Sequence, residues 1–349
     1  MKKNKIYIFL FNFLTLITYF FSQNAYANFI ASGDTLSTSN YEIRRFDTSA
    51  QTTDPRDITF SNDGKKMFTV EQQTRSVFEY ILSTPYNIST ASFVQSLSVS
   101  GQSSKPFKVK FNNDGSKMFI AGRGERKVFE YSLSTNFDIS SASVTYTGNF
   151  IDVSPQLTSF LNGLTFSPDG KIMIITEQAF GLHQYSLNKS FDLSGGANFI
   201  RSAEVSTVSG GKAYNGIAFN QSGTRMFVVD SAANEINQYT LSEGFNISTA
   251  SVDGGAIAKQ FSHPDPINDG DPQGIDFSPS GLKMYVSHLA VSGTSTNAMI
   301  IEYHLPCPFN LFAGKCTEIT EGDRRGVAEA QINQVRSYYL KKMMWKCEK

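Results

Sequence analysis

The chain has 349 residues, in which 31 Lys and Arg balance 31 Asp and Glu. That balance excludes both a basic footprint for nucleic acid and a strongly acidic surface. The 29 phenylalanines and 15 tyrosines come mostly from a repeat that fills the middle of the chain, and they read as core.

Residues 1–27 read as an address. Lys2, Lys3 and Lys5 form a charged start, Ile6–Phe21 an apolar run, and Ala25-Tyr26-Ala27 a small-x-small cleavage site, so the mature chain is expected to begin at Asn28 and to be exported to the periplasm or cell surface. A retained anchor is the rival reading, but the run is short for a span and contains Asn12 and Thr15. Loss of three lysines leaves 28 basic against 31 acidic residues, a net charge of −3. Residues 28–40 are small and polar and read as a flexible lead-in.

From residue 41 to 305 one pattern is written five times. The first copy is DPRDITFSNDGKKMFTVEQQTRSVFEYILSTPYNISTA from Asp54, and its turn glycine Gly64 recurs as Gly115, Gly170, Gly223 and Gly281, a spacing that belongs to propellers and solenoids. Each copy reads as four strands. The first ends in Phe60, Phe111, Phe166, Phe219 or Phe277 before a tight turn. The second is KMFTV or its like, and the third carries Tyr80, Tyr131, Tyr185, Tyr239 or Tyr303. A more variable fourth strand follows copies one to four, but copy five passes from His304 into LPCPF without one. The segment from Tyr41 aligns with the fourth strand of copy one. The predicted fold is therefore an all-β, five-bladed propeller of four-stranded blades closed by an N-terminal strand, which removes open edges. An open stack, or six blades, is the alternative.

The pattern F-S-x-D-G-x-K-M-F … Y-x-L-S-T-x-(Phe or Tyr)-(Asn or Asp)-I-S resembles the repeat of exported bacterial β-propellers, loosely related to the WD40-like and TolB-like propellers. The resemblance covers residues 41–305 and implies a fold, with no catalytic residues attached.

Residues 306–349 change character. Cys307 and Cys316 stand nine apart and Cys347 lies near the end; in an oxidising compartment one disulfide is expected, with Cys307–Cys316 the natural pair. Three cysteines without a nearby histidine make a poor zinc site. VAEAQINQVRSYYLKKMMWK from Val327 reads as an amphipathic helix. This segment resembles the cysteine pair and helix that follow propellers in some autotransporter-like surface proteins. It implies a helix packed on the propeller or a partner chain, or a vestigial linker.

Strand order assigns the two faces. The short Asp-Gly and Leu-Ser-Thr turns share one face and look structural, while the connections between blades share the other, where binding is expected. On that second face Glu71, Gly122, Glu177, Asp230 and His288 stand seven residues past each turn glycine. Three carboxylates and a histidine there form a candidate site for a cation, such as calcium, or a cationic ligand; the alternative is a set of strand ends capping backbone, and no cofactor is expected. Arg123 and Arg126 stand beside Gly122, where they would neutralise the acids. Asp265, Asp269 and Asp271, in the long connection before copy five, form a second candidate. No serine elbow, metalloprotease motif or phosphate loop is present, and His183 reads as packing or sheet surface. The leading expectation is a non-enzymatic binding or scaffold propeller for a protein, peptide or glycan. The alternatives are a hydrolase or lyase using channel-mouth carboxylates, and a structural part of an envelope complex.

Overall fold

The computed structural model describes residues 43–178, 181–205, 213–253, 271–290, 298–305 and 307–311, and these form five antiparallel four-stranded sheets. The first blade is β2 (Pro55–Phe60), β3 (Lys66–Glu71), β4 (Ser76–Leu82) and β5 (Ala91–Ser98). The second is β6 (Pro106–Phe111), β7 (Lys117–Gly122), β8 (Lys127–Leu133) and β9 (Val144–Asp152). The third is β10 (Leu161–Phe166), β11 (Ile172–Glu177), β12 (Gly181–Lys189) and β13 (Asp192–Ala203). The fourth is β14 (Tyr214–Phe219), β15 (Arg225–Asp230), β16 (Glu235–Leu241) and β17 (Ala250–Val252). The fifth holds β18 (Pro272–Phe277), β19 (Lys283–His288) and β20 (Met299–His304).

The fifth blade is completed by the start of the propeller. β1 (Ile43–Asp47) pairs antiparallel with β20, Phe46 opposite Ile300 and Asp47 opposite Met299. The inner strands meet in the cyclic order β2, β6, β10, β14, β18 and back to β2. The ring is therefore closed, as the strand bookkeeping of the sequence predicts. Among the described residues no helix is long and apolar enough to cross a membrane. Residues 1–40 and residues 327–346, where the sequence predicts a C-terminal helix, lie outside the described residues.

A structural reason for the turn glycines emerges from the third turn of each blade. Tyr86, Phe137, Phe191, Phe245 and Phe309 all adopt positive φ, between 48° and 59°, and each N–H donates to the carbonyl of its own blade's turn glycine. This lays the aromatic ring on the turn. A Cβ on Gly64 would stand 2.2 Å from the Tyr86 ring, and Gly64 itself has φ 67°, so both space and backbone require glycine. In the fifth blade the partner is Phe309, whose ring lies on Gly281. CPFNL is thus the fifth version of the T-x-F-N-I turn, and Leu305, Phe309 and Leu311 belong to the last blade's core.

Cys307 is 3% exposed within this turn. The predicted Cys307–Cys316 bridge is corrected to what is seen: no Sγ–Sγ pair is found among the described residues, which do not include Cys316. Cys307 is not a free thiol, and Cys316 and Cys347 lie outside the described residues.

Blades are joined by one repeated polar latch. Glu79, Glu130, Gln184, Gln238 and Glu302 occupy the same place on the third strands, and each accepts a backbone N–H from the next blade: Ile139, Leu193, Ile247, Leu311 and Ile88. The last of these runs from the fifth blade back to the first. All five side chains are buried, so each bond satisfies groups that water cannot reach.

Candidate functional site: an axial cavity

The predicted column lies at the ends of the second strands, but its side chains turn into their own loops. Glu71 is 2% exposed and accepts from the Thr53 N–H at 3.3 Å and from the Thr74 hydroxyl. Glu177 accepts from Thr158 Oγ1 at 2.9 Å and from the Ser159 N–H. Asp230 takes the Ala213 and Ala232 N–H groups at 3.3 and 3.1 Å, and His288 is fully buried. In the second blade, where Gly122 interrupts the column, Glu125 fills the gap: its Oε2 would stand 2.6 Å from a Cβ on Gly122, and it holds Ser103 and Ser104. These acids tie each blade entry to its second strand. Among the described residues no group of three His, Cys, Asp or Glu gathers to hold a metal ion. Asp271 is exposed, while Asp265 and Asp269 lie outside the described residues. Arg126 donates to the Leu157 carbonyl at 3.3 Å.

Arg123 leads instead to the axis. Its Nε donates to Asn162 Oδ1 at 2.9 Å, Asn162 donates to Asn215 at 2.8 Å, and Asn215 and Arg56 both donate to Gln273 Oε1 at 3.0 Å. Phe107 completes the circle, with the Arg56 and Arg123 guanidiniums each 5.1 Å from its ring centre. Arg56, Phe107, Asn162, Asn215 and Gln273 stand at one position of the five inner strands, and Arg123 reaches them from the end of β7. Behind them Lys108, 1% exposed, donates to the carbonyls of Arg56 and Gln273. It occupies a position that is Gly163, Gly216 and Gly274 in the later blades. Burial pushes its ammonium down to about 7, although Asp57 opposes the shift. The axis is closed at this end by polar side chains bonded to one another.

The other end is open. A cavity of about 250 Å³ is lined by Phe60, Phe111, Phe219 and Phe277 at the ends of the inner strands, with Thr59, Lys110 and Asp276 one residue further in. Its rim is made by the tight turns, where Asn62 donates to the Asn113 carbonyl and Asn113 to that of Pro168 at 2.7 Å. The cavity is thus on the face with the short turns, not on the face where the sequence places binding. Side-chain size decides the difference: phenylalanine and arginine fill the axis near the strand starts, while threonine and aspartate leave it hollow near the ends.

The polar floor is a charged set. Lys110 Nζ lies 3.1 Å from Asp57 Oδ2 and 3.4 Å from the Ile58 carbonyl. Asp57 also accepts the Val109 N–H at 3.1 Å. Asp276 accepts its neighbour's N–H, from Phe277, at 2.8 Å. Burial raises the Asp276 carboxyl above its ordinary range, against the pull of Lys110, and Asp57 adds to the rise. Neither Lys110 nor Asp276 stands among the sequence candidates. Both sit directly before the repeated phenylalanine, in the column Thr59, Lys110, Thr165, Ala218, Asp276. The signal available was charge at an inner-strand position otherwise held by small or hydroxyl side chains.

No family model matches the chain, and no curated protein matches it. Among solved structures it is similar to a luciferin-regenerating enzyme, at 12% identity over 75% of this chain and 95% of that one, with a TM-score of 0.46. It is also similar to the periplasmic gluconolactonase of Pseudomonas aeruginosa, at 15% identity over 60% and 53% with a TM-score of 0.34, and to the β-propeller domain of Cps50 (Swd1) from Myceliophteria thermophila, at 9% over 76% and 100% with a TM-score of 0.42. The chain spans about half (53%) of the Lactobacillus plantarum protein that it also resembles. At such identities the shared property is the propeller. No specific kinship of the repeat with WD40-like or TolB-like propellers is shown beyond that fold.

Proposed function

We propose that the axial cavity is the working site and that the protein is a hydrolase or lyase for a small polar, sugar-like ligand. The observation that carries this reading is the pairing of Asp276, a half-buried carboxyl whose desolvation raises its pKa, with the Lys110 ammonium on the wall of one cavity. A protonated carboxyl supplies a proton to a leaving oxygen. A fixed cation steadies negative charge as it develops. The phenylalanine walls suit the apolar face of a sugar ring, and the turn amides at the rim suit its hydroxyls. At about 250 Å³ the space fits about one such ring, so a polymer would enter by its end. The export reading of residues 1–27 and the exported-propeller resemblance of the repeat accord with an extracytoplasmic ligand.

Binding without chemistry is the second reading, favoured by the engagement of Lys110 with Asp57 and the Ile58 carbonyl. A panel of p-nitrophenyl glycosides and sugar lactones, offered to the wild type, Asp276→Asn and Lys110→Met, separates the two. Hydrolysis that falls about 10²- to 10⁴-fold in Asp276→Asn supports catalysis. Binding without turnover, lost in Lys110→Met, supports the second reading. Turnover that both variants retain in full removes the cavity from the account.

A further inference from the structure

Away from the axis, the third blade sets a nucleophile, a base and an orienting acid in line. His183 on β12 stands opposite Ser202 on β13 in the ladder. Its Nδ1 lies 2.8 Å from Ser202 Oγ and its Nε2 lies 3.2 Å from Glu177 Oε2. The imidazole is 5% exposed and the carboxylate 1%, whereas Ser202 is exposed. The base is therefore shielded and the nucleophile is open to a substrate.

The supporting contacts choose the tautomer. Glu177 Oε1 is committed to Thr158 and Ser159, which leaves Oε2 to accept from the imidazole. With Nε2–H donating to Glu177, the lone pair of Nδ1 faces the Ser202 hydroxyl, the arrangement a general base needs. Burial lowers the pKa of His183 against the opposing pull of Glu177, so the ring is neutral near pH 7. Packing alone does not call for histidine, because the same ladder position is Phe78 in the first blade and Phe129 in the second. In the first blade Phe78 faces Ser96, a serine without a base.

We propose that Ser202, His183 and Glu177 form an acyl-transfer site on the outer strand of the third blade, acting on esters with an apolar acyl group. Ser202 Oγ bonds to the ester carbonyl carbon as its proton passes to His183 Nδ1. The carbon–oxygen bond to the alcohol then breaks, and the alcohol leaves with that proton. Water, deprotonated by the same nitrogen, hydrolyses the acyl-serine and restores the hydroxyl. Phe199 and Ile200, 44% and 39% exposed on the same strand, supply the apolar surface beside the serine. β13 is the outer strand of its sheet, and an outer strand has N–H groups that the ladder does not use, the donor type a developing oxyanion takes.

The test is labelling of the full chain with an alkyl fluorophosphonate, followed by peptide mass spectrometry, with p-nitrophenyl butyrate hydrolysis in parallel. The expected result is one label per chain on the Ser202 peptide, none in Ser202→Ala, and labelling slowed about 10²-fold or more in His183→Asn. The wild-type rate should hold as pH falls past 6.5 and decline only below it. Ser202→Ala changes an exposed side chain, so its fold is not at risk; His183→Gln serves if His183→Asn fails to fold. Asp276→Asn should label as the wild type does, which separates this site from the axial one. Folded protein unlabelled at Ser202, or labelled equally fast in both histidine variants, overturns the proposal.

Discussion

Asp276 differs from the strand-end acids Glu71 and Glu177 in what surrounds it. Glu71 and Glu177 are held by N–H and hydroxyl donors, whereas Asp276 keeps a raised pKa because burial outweighs the pull of Lys110. The consequence for stability has a definite sign. Between the ordinary value of 3.8 and the higher folded value, the unfolded chain has released this proton and the folded chain still holds it, so stability falls as pH rises through that window. Replacing Asp276 with Asn removes the penalty and keeps an acceptor for the Phe277 N–H. The variant should melt higher than the wild type at pH 7 and at the same temperature at pH 3; a lower melting temperature at pH 7 would show that the charged form is favoured. Neither this carboxyl nor Lys110 could be recognised from the sequence alone. Their neighbours on the axis come from other blades, and only ring closure reveals that Lys110 and Asp276 line one cavity, with Asp57 paired to Lys110 behind it.

At the scale of the element, the repeat is legible because each of its marks has a mechanical cause. The turn glycine is fixed by the aromatic ring on it, and Gly64→Ala should cost about 1–3 kcal/mol through positive φ and collision with Tyr86. The shared Glu or Gln beside the tyrosine is fixed by the next blade. Glu302, fully buried, accepts the Ile88 N–H and lies 2.8 Å from Lys283 and 2.6 Å from His304. Glu302→Ala should therefore cost about 1–3 kcal/mol, because it leaves the buried Ile88 N–H without its acceptor. Glu302→Gln should cost much less, since Gln184 and Gln238 make the same latch in two other blades. Chemical denaturation of the three proteins checks this; equal losses for Ala and Gln would mean the latch is not the source. The column from Glu71 to His288 was legible as a column, and its chemistry was not. Seven residues after a turn glycine fixes a place on the strand, but the side chain's direction depends on the loop N–H groups it meets. Ser202 and His183 were hidden for a related reason: a cross-strand pair depends on register, and a bulge shifts the β12–β13 ladder between Gln184 and Tyr185.

For the whole molecule, closure and axis filling together place the axial cavity. β1 supplies the fifth blade's outer strand, so a chain starting at residue 55 should leave β20 without its partner and lose cooperative unfolding or self-associate. A chain starting at residue 41 should melt as a single unit. Closure brings five inner strands to one axis, where Lys108 and the Arg56–Gln273–Asn215–Asn162–Arg123 chain seal one end and the phenylalanine-lined cavity opens the other. The sequence predicts the ring through its strand count. It does not predict which end is open, because that depends on summed side-chain volumes across five blades. The most direct measurement is the carboxyl carbon shift of Asp276, followed by isotope-edited NMR through a pH titration, without ligand and with the best compound from the glycoside and lactone panel. The account predicts a midpoint above 3.8 in the free protein and a further displacement when the cavity is filled. A midpoint at or below 3.8, or one that no bound or hydrolysed compound moves, would contradict it.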